Sequence, residues 1–92
     1  MTRRRSKIEL YLEVLRAISK GVSKPTNIMY KCNLSWENSR EILNFLLRQN
    51  LISVVDENGR KSYRLTERGR EVLEYFSKAQ ILLTAGGRKR GI

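Results

Sequence analysis

Three side chains with hydrogen-bonding ends, Arg40, Asn44 and Arg48, recur every four residues in one segment of the chain. This spacing places side chains on one face of an α-helix. An arginine on such a face can donate to O6 and N7 of guanine, and an asparagine can bond N6 and N7 of adenine. The pattern therefore suits the recognition of base edges. An ordinary solvated helix face has the same residue types, and Glu37 and Glu41, which share this face, would repel phosphate groups.

A shorter helix is predicted before this one, across a tight turn. Pro25 suits the first turn of a helix, where a missing amide proton costs nothing, and this helix extends to Cys32. Asn33 tolerates the left-handed conformation that ends it, and Ser35 can cap the helix that begins at Trp36. Trp36 is predicted to pack on the core side, and stacking on DNA bases is the alternative. The pattern indicates two helices joined by a corner.

The segments before and after this pair of helices in the sequence are predicted to form the elements that position it. Ser6 can cap a helix over residues 7–20. The apolar residues of this helix fall at helical spacing and predict one buried face: Ile8, Tyr11, Leu12, Leu15 and Ile18. Two strand-like segments, 51–55 and 60–65, flank the turn sequence DENG and predict a hairpin, and a last helix follows Thr66. This order is that of a winged helix-turn-helix. The predicted fold is α+β but mostly α, with three helices, a β-hairpin wing and a C-terminal dimerisation helix.

The net charge of the chain is strongly positive and unevenly distributed. Nineteen Lys and Arg residues against nine Asp and Glu give a formal net charge of +10 over 92 residues. Seven of these basic residues lie within 3–7 and 88–90, so the part between them is nearly balanced. Such an excess favours a polyanionic partner, either nucleic acid or an anionic membrane surface. Basic arms that follow phosphates are typical of nucleic-acid binders, and solubilising tails are the alternative.

The sequence lacks the motifs of common enzymes, metal sites and membrane spans. It has no histidine and a single cysteine, Cys32, so neither a zinc site nor an intrachain disulfide is expected. No phosphate loop, nucleophile elbow, HExxH motif or apolar run near ~18 residues occurs. We therefore expect no enzymatic activity, no cofactor, no small-molecule ligand and no membrane contact. Cys32 is predicted to be a buried apolar residue in a reducing cytoplasm rather than a redox sensor.

Three segments of the chain resemble one protein family. They are RSKIELYLEVLRAISKG (5–21), KPTNIMYKCNLSW (24–36) and YRLTERGREVLEYF (63–76), so the likeness spans about residues 5 to 83. Together they resemble the small archaeal winged-helix DNA-binding proteins, which include transcriptional regulators and a chromatin-type protein that dimerises through an antiparallel coiled coil of its last helix. The resemblance implies double-stranded DNA binding by a homodimer. Here the last helix is predicted to stop near Thr84, which would make a coiled coil short.

The expected DNA contacts come from the N-terminal arm, the short helix, the third helix and the wing. In this fold the helix before the turn crosses the DNA backbone, so its polar side chains are expected on phosphates. The third helix, about 36–49, is expected to read bases, and the wing, about 56–61, to meet the minor groove or backbone. A solvated hairpin tip is the alternative for the wing. The predicted DNA-binding residues are Arg3, Arg4, Arg5, Lys24, Thr26, Asn27, Lys31, Ser35, Asn38, Arg40, Asn44, Arg48, Arg60 and Lys61.

The last helix carries an apolar stripe that is wider than the ~100° needed to dock a helix on its own domain. The stripe begins at Gly69, and its far end extends past the predicted core. If this apolar surface were exposed to solvent, it would promote aggregation. The simplest way to bury it is contact with the same helix of a second copy of the chain. The alternative is that the stripe folds back on the first helix and the chain stays single. The predicted dimer contacts are Val72, Tyr75, Phe76, Ala79, Leu82 and Leu83.

These assignments divide the chain into four parts and predict one main function. The parts are a basic arm (1–5), a winged helix-turn-helix domain (6–65), a dimerisation helix (66–85) and a basic tail (86–92). We expect a homodimeric transcriptional regulator or chromatin protein that binds double-stranded DNA in the cytoplasm, associated with the nucleoid. The alternative is a protein- or RNA-interaction module in which the winged helix is a scaffold.

Overall fold

The computed structural model describes residues 5–86 and has the predicted order of elements. Four α-helices and one two-stranded antiparallel sheet make up the chain, and a π-helical turn, Leu82–Gly86, follows the last α-helix. Within this described range no helix is long and apolar enough to cross a membrane. The predicted winged helix-turn-helix is confirmed. In chain order the elements are α1 (Lys7–Ser19), α2 (Pro25–Lys31), α3 (Trp36–Arg48), β1 (Ile52–Glu57), β2 (Arg60–Leu65) and α4 (Glu67–Ile81).

One hydrophobic core joins α1, α2, α3 and the base of the hairpin. In β2, Tyr63 is buried, and its backbone N–H donates to the Ser23 carbonyl at 2.8 Å. This bond ties the hairpin to the link before α2. In β1 no side chain beyond Ile52 is buried, so the outer part of the hairpin projects from the core as a wing. The most deeply buried large side chains are Val14, Leu15, Ile28, Leu46 and Ile52.

Side-chain caps start the three longer helices at the predicted residues. The Ser6 hydroxyl accepts from the Glu9 N–H at 3.1 Å, and the Glu9 carboxylate accepts from the Ser6 N–H at 2.8 Å. The Ser35 hydroxyl accepts from the Asn38 N–H at 3.1 Å, and the Thr66 hydroxyl caps α4 in the same way. Each cap satisfies a backbone donor that the helix leaves without a partner, and is worth about 1 kcal/mol.

The corner between α2 and α3 forms by the predicted chemistry. Asn33 has a φ of 55°, in the left-handed region that an asparagine tolerates. The Leu34 N–H donates to the Met29 carbonyl at 2.9 Å and closes the end of α2. The first residue of α3 follows directly after the Ser35 cap, so this short corner sets the direction of α3.

The hairpin differs from its prediction in the length of its turn. A turn of four residues, 56–59, was expected, but both strands continue and only Asn58 and Gly59 lie between them. These two residues have φ values of 54° and 79°, the pair of positive angles that a two-residue hairpin turn needs. An Asn-Gly pair adopts this shape at little cost, so the strands extend to it.

Two apolar side chains predicted on the core side are exposed instead. Ile8 lies in the first turn of α1, and Trp36 is the first residue of α3. Trp36 is 56% exposed, so the predicted core-side packing leaves more than half of this residue in solvent. Helical spacing gives the direction of a side chain around the axis, but it does not tell how far along the helix the neighbouring elements reach.

The start of α4 is held against the end of α3 by a close backbone contact. The Thr66 N–H donates to the Leu51 carbonyl at 3.1 Å, and the Thr66 hydroxyl donates to the Asn50 carbonyl at 2.7 Å. Gly69 is buried here, and a Cβ on it would overlap the carbonyl oxygen of Leu51. Gly69 therefore belongs to the part of the stripe that packs within the domain.

Gly69→Ala is expected to lower the free energy of unfolding by about 1–3 kcal/mol, the usual cost of forcing a methyl group into a closed site. The backbone on both sides must move, since the atom that the methyl meets is a carbonyl oxygen. Urea denaturation followed by circular dichroism measures the change. Glu71→Ala, at an exposed position of the same helix, is the matched control and should leave the midpoint nearly unchanged.

Candidate nucleic-acid interface

Helix α3 packs on the core with one face and leaves the other in solvent. Its buried side chains are Ser39, Ile42, Leu43 and Leu46. The Ser39 hydroxyl donates to the Trp36 carbonyl at 3.1 Å, so this polar group is satisfied inside the helix. The exposed face is flanked by two open grooves, one on each side of the helix.

The first groove lies between α3 and strand β2 and is here called the wing groove. It has a volume of about 300 Å³. Three predicted DNA-binding residues, Arg40, Asn44 and Lys61, line it together. Trp36 lines the same groove. The remaining lining residues are Pro25, Ser39, Leu43 and Tyr63.

The second groove lies between α3 and α1 and has a volume of about 220 Å³. Its floor is apolar, and the rings of Tyr11 and Phe45 stack there with their centroids 4.5 Å apart and an interplanar angle of 13°. Asn38 and Arg48, two further predicted DNA-binding residues, line this groove rather than the wing groove. The complete lining is Lys7, Leu10, Tyr11, Asn38, Glu41, Ile42, Phe45 and Arg48.

The two grooves separate charges that the helical spacing had placed on one face. Glu41 lines the groove toward α1, together with Lys7 and Arg48. Arg40 and Lys61 line the wing groove, and no carboxylate lines it with them. The carboxylate of Glu41 therefore lies on the side of α3 away from the wing, and Glu37 lines neither groove. A polyanion that enters the wing groove itself meets the cations Arg40 and Lys61 and the amide of Asn44.

The predicted DNA-binding residues of α2 and the following corner lie at different places on the surface. Lys24, Thr26 and Asn27 are exposed at the start of α2, which is the part expected to cross a phosphate backbone. Lys31 is exposed at the other end, where it lines a groove between α1 and α2. The Ser35 hydroxyl accepts its capping bond and can still donate its own proton to a phosphate oxygen.

At the wing tip, the strand register places each basic residue opposite an acidic one. Asp56 lies opposite Lys61, and Glu57 lies opposite Arg60. Opposite charges facing each other across antiparallel strands stabilise the pairing by a few tenths of a kcal/mol. The two basic residues predicted for DNA contact therefore each face a carboxylate, and of the two only Lys61 also lines the wing groove.

Arg5, predicted as part of a DNA-binding arm, makes contacts inside the domain. Its guanidinium pairs with the Glu13 carboxylate and donates to the carbonyl oxygens of Cys32 at 2.9 Å and Asn33 at 3.3 Å. These two carbonyls lie at the corner between α2 and α3, so Arg5 clamps the corner to α1. Spacing could not reveal this contact, since the partners are 27 and 28 residues away. Arg3 and Arg4 lie outside the described residues.

Cys32 is buried between α1 and α2, as predicted. Burial raises the pKa of its thiol, and the negative charge of Glu13 raises it further, while Arg5 and Lys31 partly offset these effects. A raised pKa reduces the thiolate fraction, and the thiolate is the reactive form. This environment fits an inert core residue better than a redox sensor. In the described range, no group of three or more His, Cys, Asp or Glu residues is suited to hold a metal ion.

The far half of α4 and the turn after it carry half of the large apolar side chains that are exposed in the described part of the chain. Tyr75 and Leu82 are each 70% exposed, and Leu83 is 80% exposed. Earlier in the stripe, Val72 packs partly against the core. The remaining predicted dimer residues, Phe76 and Ala79, are only partly covered. The apolar stripe is therefore divided between the chain's own core and solvent.

The chain belongs to the winged helix-turn-helix family, whose model matches residues 4–84. It is 32% identical over 69 residues to uncharacterized protein MJ0287 of Methanocaldococcus jannaschii, covering 75% of this chain and 67% of that protein. Its structure is similar to that of Sso10a-2, a DNA-binding protein from Sulfolobus solfataricus, with a TM-score of 0.70, 24% identity, and coverage of 95% of this chain and 94% of that one.

The transcriptional regulator BldR, also from Sulfolobus solfataricus, has the same fold. The TM-score is 0.72 at 16% identity, over 80% of this chain and 55% of that one. At such identities, the similarity to Sso10a-2 and BldR establishes the fold. The predicted resemblance to archaeal winged-helix proteins is confirmed.

Proposed function

We propose that this chain is a double-stranded DNA-binding protein that acts as a homodimer in regulating transcription or organising the chromosome. In this proposal α3 enters the major groove, the start of α2 crosses the backbone, and the wing lies over the adjacent backbone or minor groove. The observation that carries the proposal is the wing groove, where Arg40, Asn44 and Lys61 lie together without a carboxylate. Such a protein would work in the cytoplasm, in association with the nucleoid.

The relatives with similar folds support the same class of function. Sso10a-2 is a DNA-binding protein, and BldR is a transcriptional regulator. The formal charge of +10 adds a general attraction for phosphates, which would raise the rate of association with DNA. The basic arm 1–5 and tail 86–92, as the sequence divides the chain, would add contacts beside the domain.

A mobility-shift titration tests this function. The probes are a random-sequence 30-base-pair DNA duplex, a single-stranded RNA and an acidic peptide, each at the same moderate salt concentration. Binding to the duplex in preference to both other probes is expected. A chain that binds RNA or the peptide and leaves the duplex free would instead be a scaffold for other partners, and the DNA-binding proposal would be wrong.

Arg40→Ala is expected to weaken binding to a preferred duplex by about 1–3 kcal/mol of binding free energy, and binding to random DNA by much less, as for a side chain that reads a base. The preferred duplex comes from selection of a random library with the native chain. Competition titrations on the two duplexes measure the difference. Arg60 lies on the wing tip outside the wing groove, so Arg60→Ala should weaken binding to both duplexes to a similar extent. Equal losses for Arg40→Ala on both duplexes would make Arg40 a phosphate contact only.

A further inference from the structure

Trp36 is an exposed aromatic side chain at the start of the proposed recognition helix. It is the first residue of α3, it is 56% exposed, and it lines the wing groove beside Pro25 and Arg40. Leaving a large aromatic surface in water is unfavourable, so a ligand that enters this groove and covers Trp36 with an apolar group gains binding free energy. The ring of Pro25 widens the apolar part of the groove.

In the major groove of DNA, each thymine presents one apolar group, the 5-methyl group. Guanine presents two acceptors there, adenine presents an acceptor and an amino group, and cytosine presents an amino group. Contact with a methyl group leaves the base stack intact. Insertion of the indole between bases would cost a few kcal/mol of unstacking. A methyl contact is therefore the less costly way for an indole in this position to meet a duplex.

The spacing along α3 places this contact in register with the polar ones. Trp36, Arg40 and Asn44 follow each other at four-residue intervals, or about 6 Å along the helix axis. Base pairs stack about 3.4 Å apart, so successive side chains meet positions nearly two base pairs apart. Trp36 lies at the N-terminal end of this row, the end that reaches base edges in helix-turn-helix proteins.

We propose that Trp36 is a specificity-determining residue that binds the 5-methyl group of a thymine in the major groove. This assignment rests on the proposed DNA binding and adds to it a preference for thymine at the position facing the start of α3. The contact buries the methyl group against the indole and the Pro25 ring. The polar neighbours Arg40 and Asn44 then read the positions farther along the groove.

Removal of the methyl groups from the DNA tests the assignment. The probes are a dye-labelled 24-base-pair duplex of alternating dA and dT, and the same duplex with every thymine replaced by uracil. Fluorescence anisotropy at one fixed salt concentration measures the affinity for each. Native protein should bind the uracil duplex about fourfold more weakly for each recognition helix engaged, the loss expected for one buried methyl group.

Protein variants distinguish Trp36 from other causes of such a preference. Trp36→Ala should bind both duplexes with equal affinity, because the group that senses the methyl is gone, and Trp36→Phe should retain part of the preference. Tyr30→Ala is the matched control, since Tyr30 is 72% exposed on α2 and does not line the wing groove. It should keep the full preference.

The possible outcomes separate this assignment from the proposed function. If neither duplex binds, both proposals are wrong. If native protein binds both duplexes equally, or if Trp36→Ala keeps the native preference, DNA binding stands and the role of Trp36 is overturned. Trp36 is the only tryptophan in the chain, so its emission reports on the same contact. An emission spectrum that stays unchanged while the dA-dT duplex binds would also overturn the assignment.

Discussion

The affinity of this chain for random duplex DNA should fall about a thousandfold as salt rises from about 50 to 200 mM, the loss expected for about six phosphate contacts. Each contact releases a counterion from the DNA, so the log–log slope of affinity against salt should be near −5. Titrations at four or more salt concentrations measure this slope. A slope near zero would mean that the formal charge of +10 takes little part in binding.

The contribution of the N-terminal arm can be isolated by deleting residues 1–4. The deletion stops before Arg5, because its guanidinium clamps the corner between α2 and α3. Loss of Arg3 and Arg4 should make the slope less steep by about 2, close to 0.9 for each phosphate contact. The double variant Arg68→Ala/Arg70→Ala removes the same charge from α4 and should change the slope much less. Equal changes in both proteins would assign the effect to net charge and contradict a role for the arm.

Leu83→Asp is expected to convert the protein from a dimer to a monomer at micromolar concentration. Leu83 is 80% exposed, so the substitution leaves the core of the single chain intact. In the dimer it would bury a charge in an apolar contact, and a buried charge without a partner costs several kcal/mol. Phe76→Asp should act in the same direction. Sedimentation equilibrium measures the mass directly.

Arg70→Asp is the matched control for the dimer. It places the same side chain on α4 at an exposed position, on the opposite side from the predicted contacts, and should leave the dimer intact. Two recognition helices in a dimer should ideally lie about 34–36 Å apart, the distance between successive major grooves on one side of the duplex. A native protein with the mass of one chain, unaltered by Leu83→Asp, would exclude this dimer.

Much of the fold follows from local rules that can be read in the sequence. Ser6, Ser35 and Thr66 start helices because their hydroxyl oxygens accept backbone N–H groups a few residues away. Asn33 ends α2 because an asparagine adopts the left-handed conformation readily. The hairpin was predicted from the same kind of rule, and only the length of its turn was wrong. All of these interactions lie within a few residues along the chain.

The two grooves beside α3 and the burial of single residues depend on segments that lie far apart in the sequence. The sequence alone determined the order of elements, the basic charge and the residue types of α3, since these depend on spacing and composition. The tertiary structure decided that Arg40 lies with Lys61 while Glu41 lies with Lys7, because the grooves toward β2 and toward α1 lie on different sides of α3. The tertiary structure also decided that Trp36 is exposed and Gly69 is buried. Burial depends on which atoms of distant segments come within contact distance, and a periodic sequence pattern gives no information on that distance.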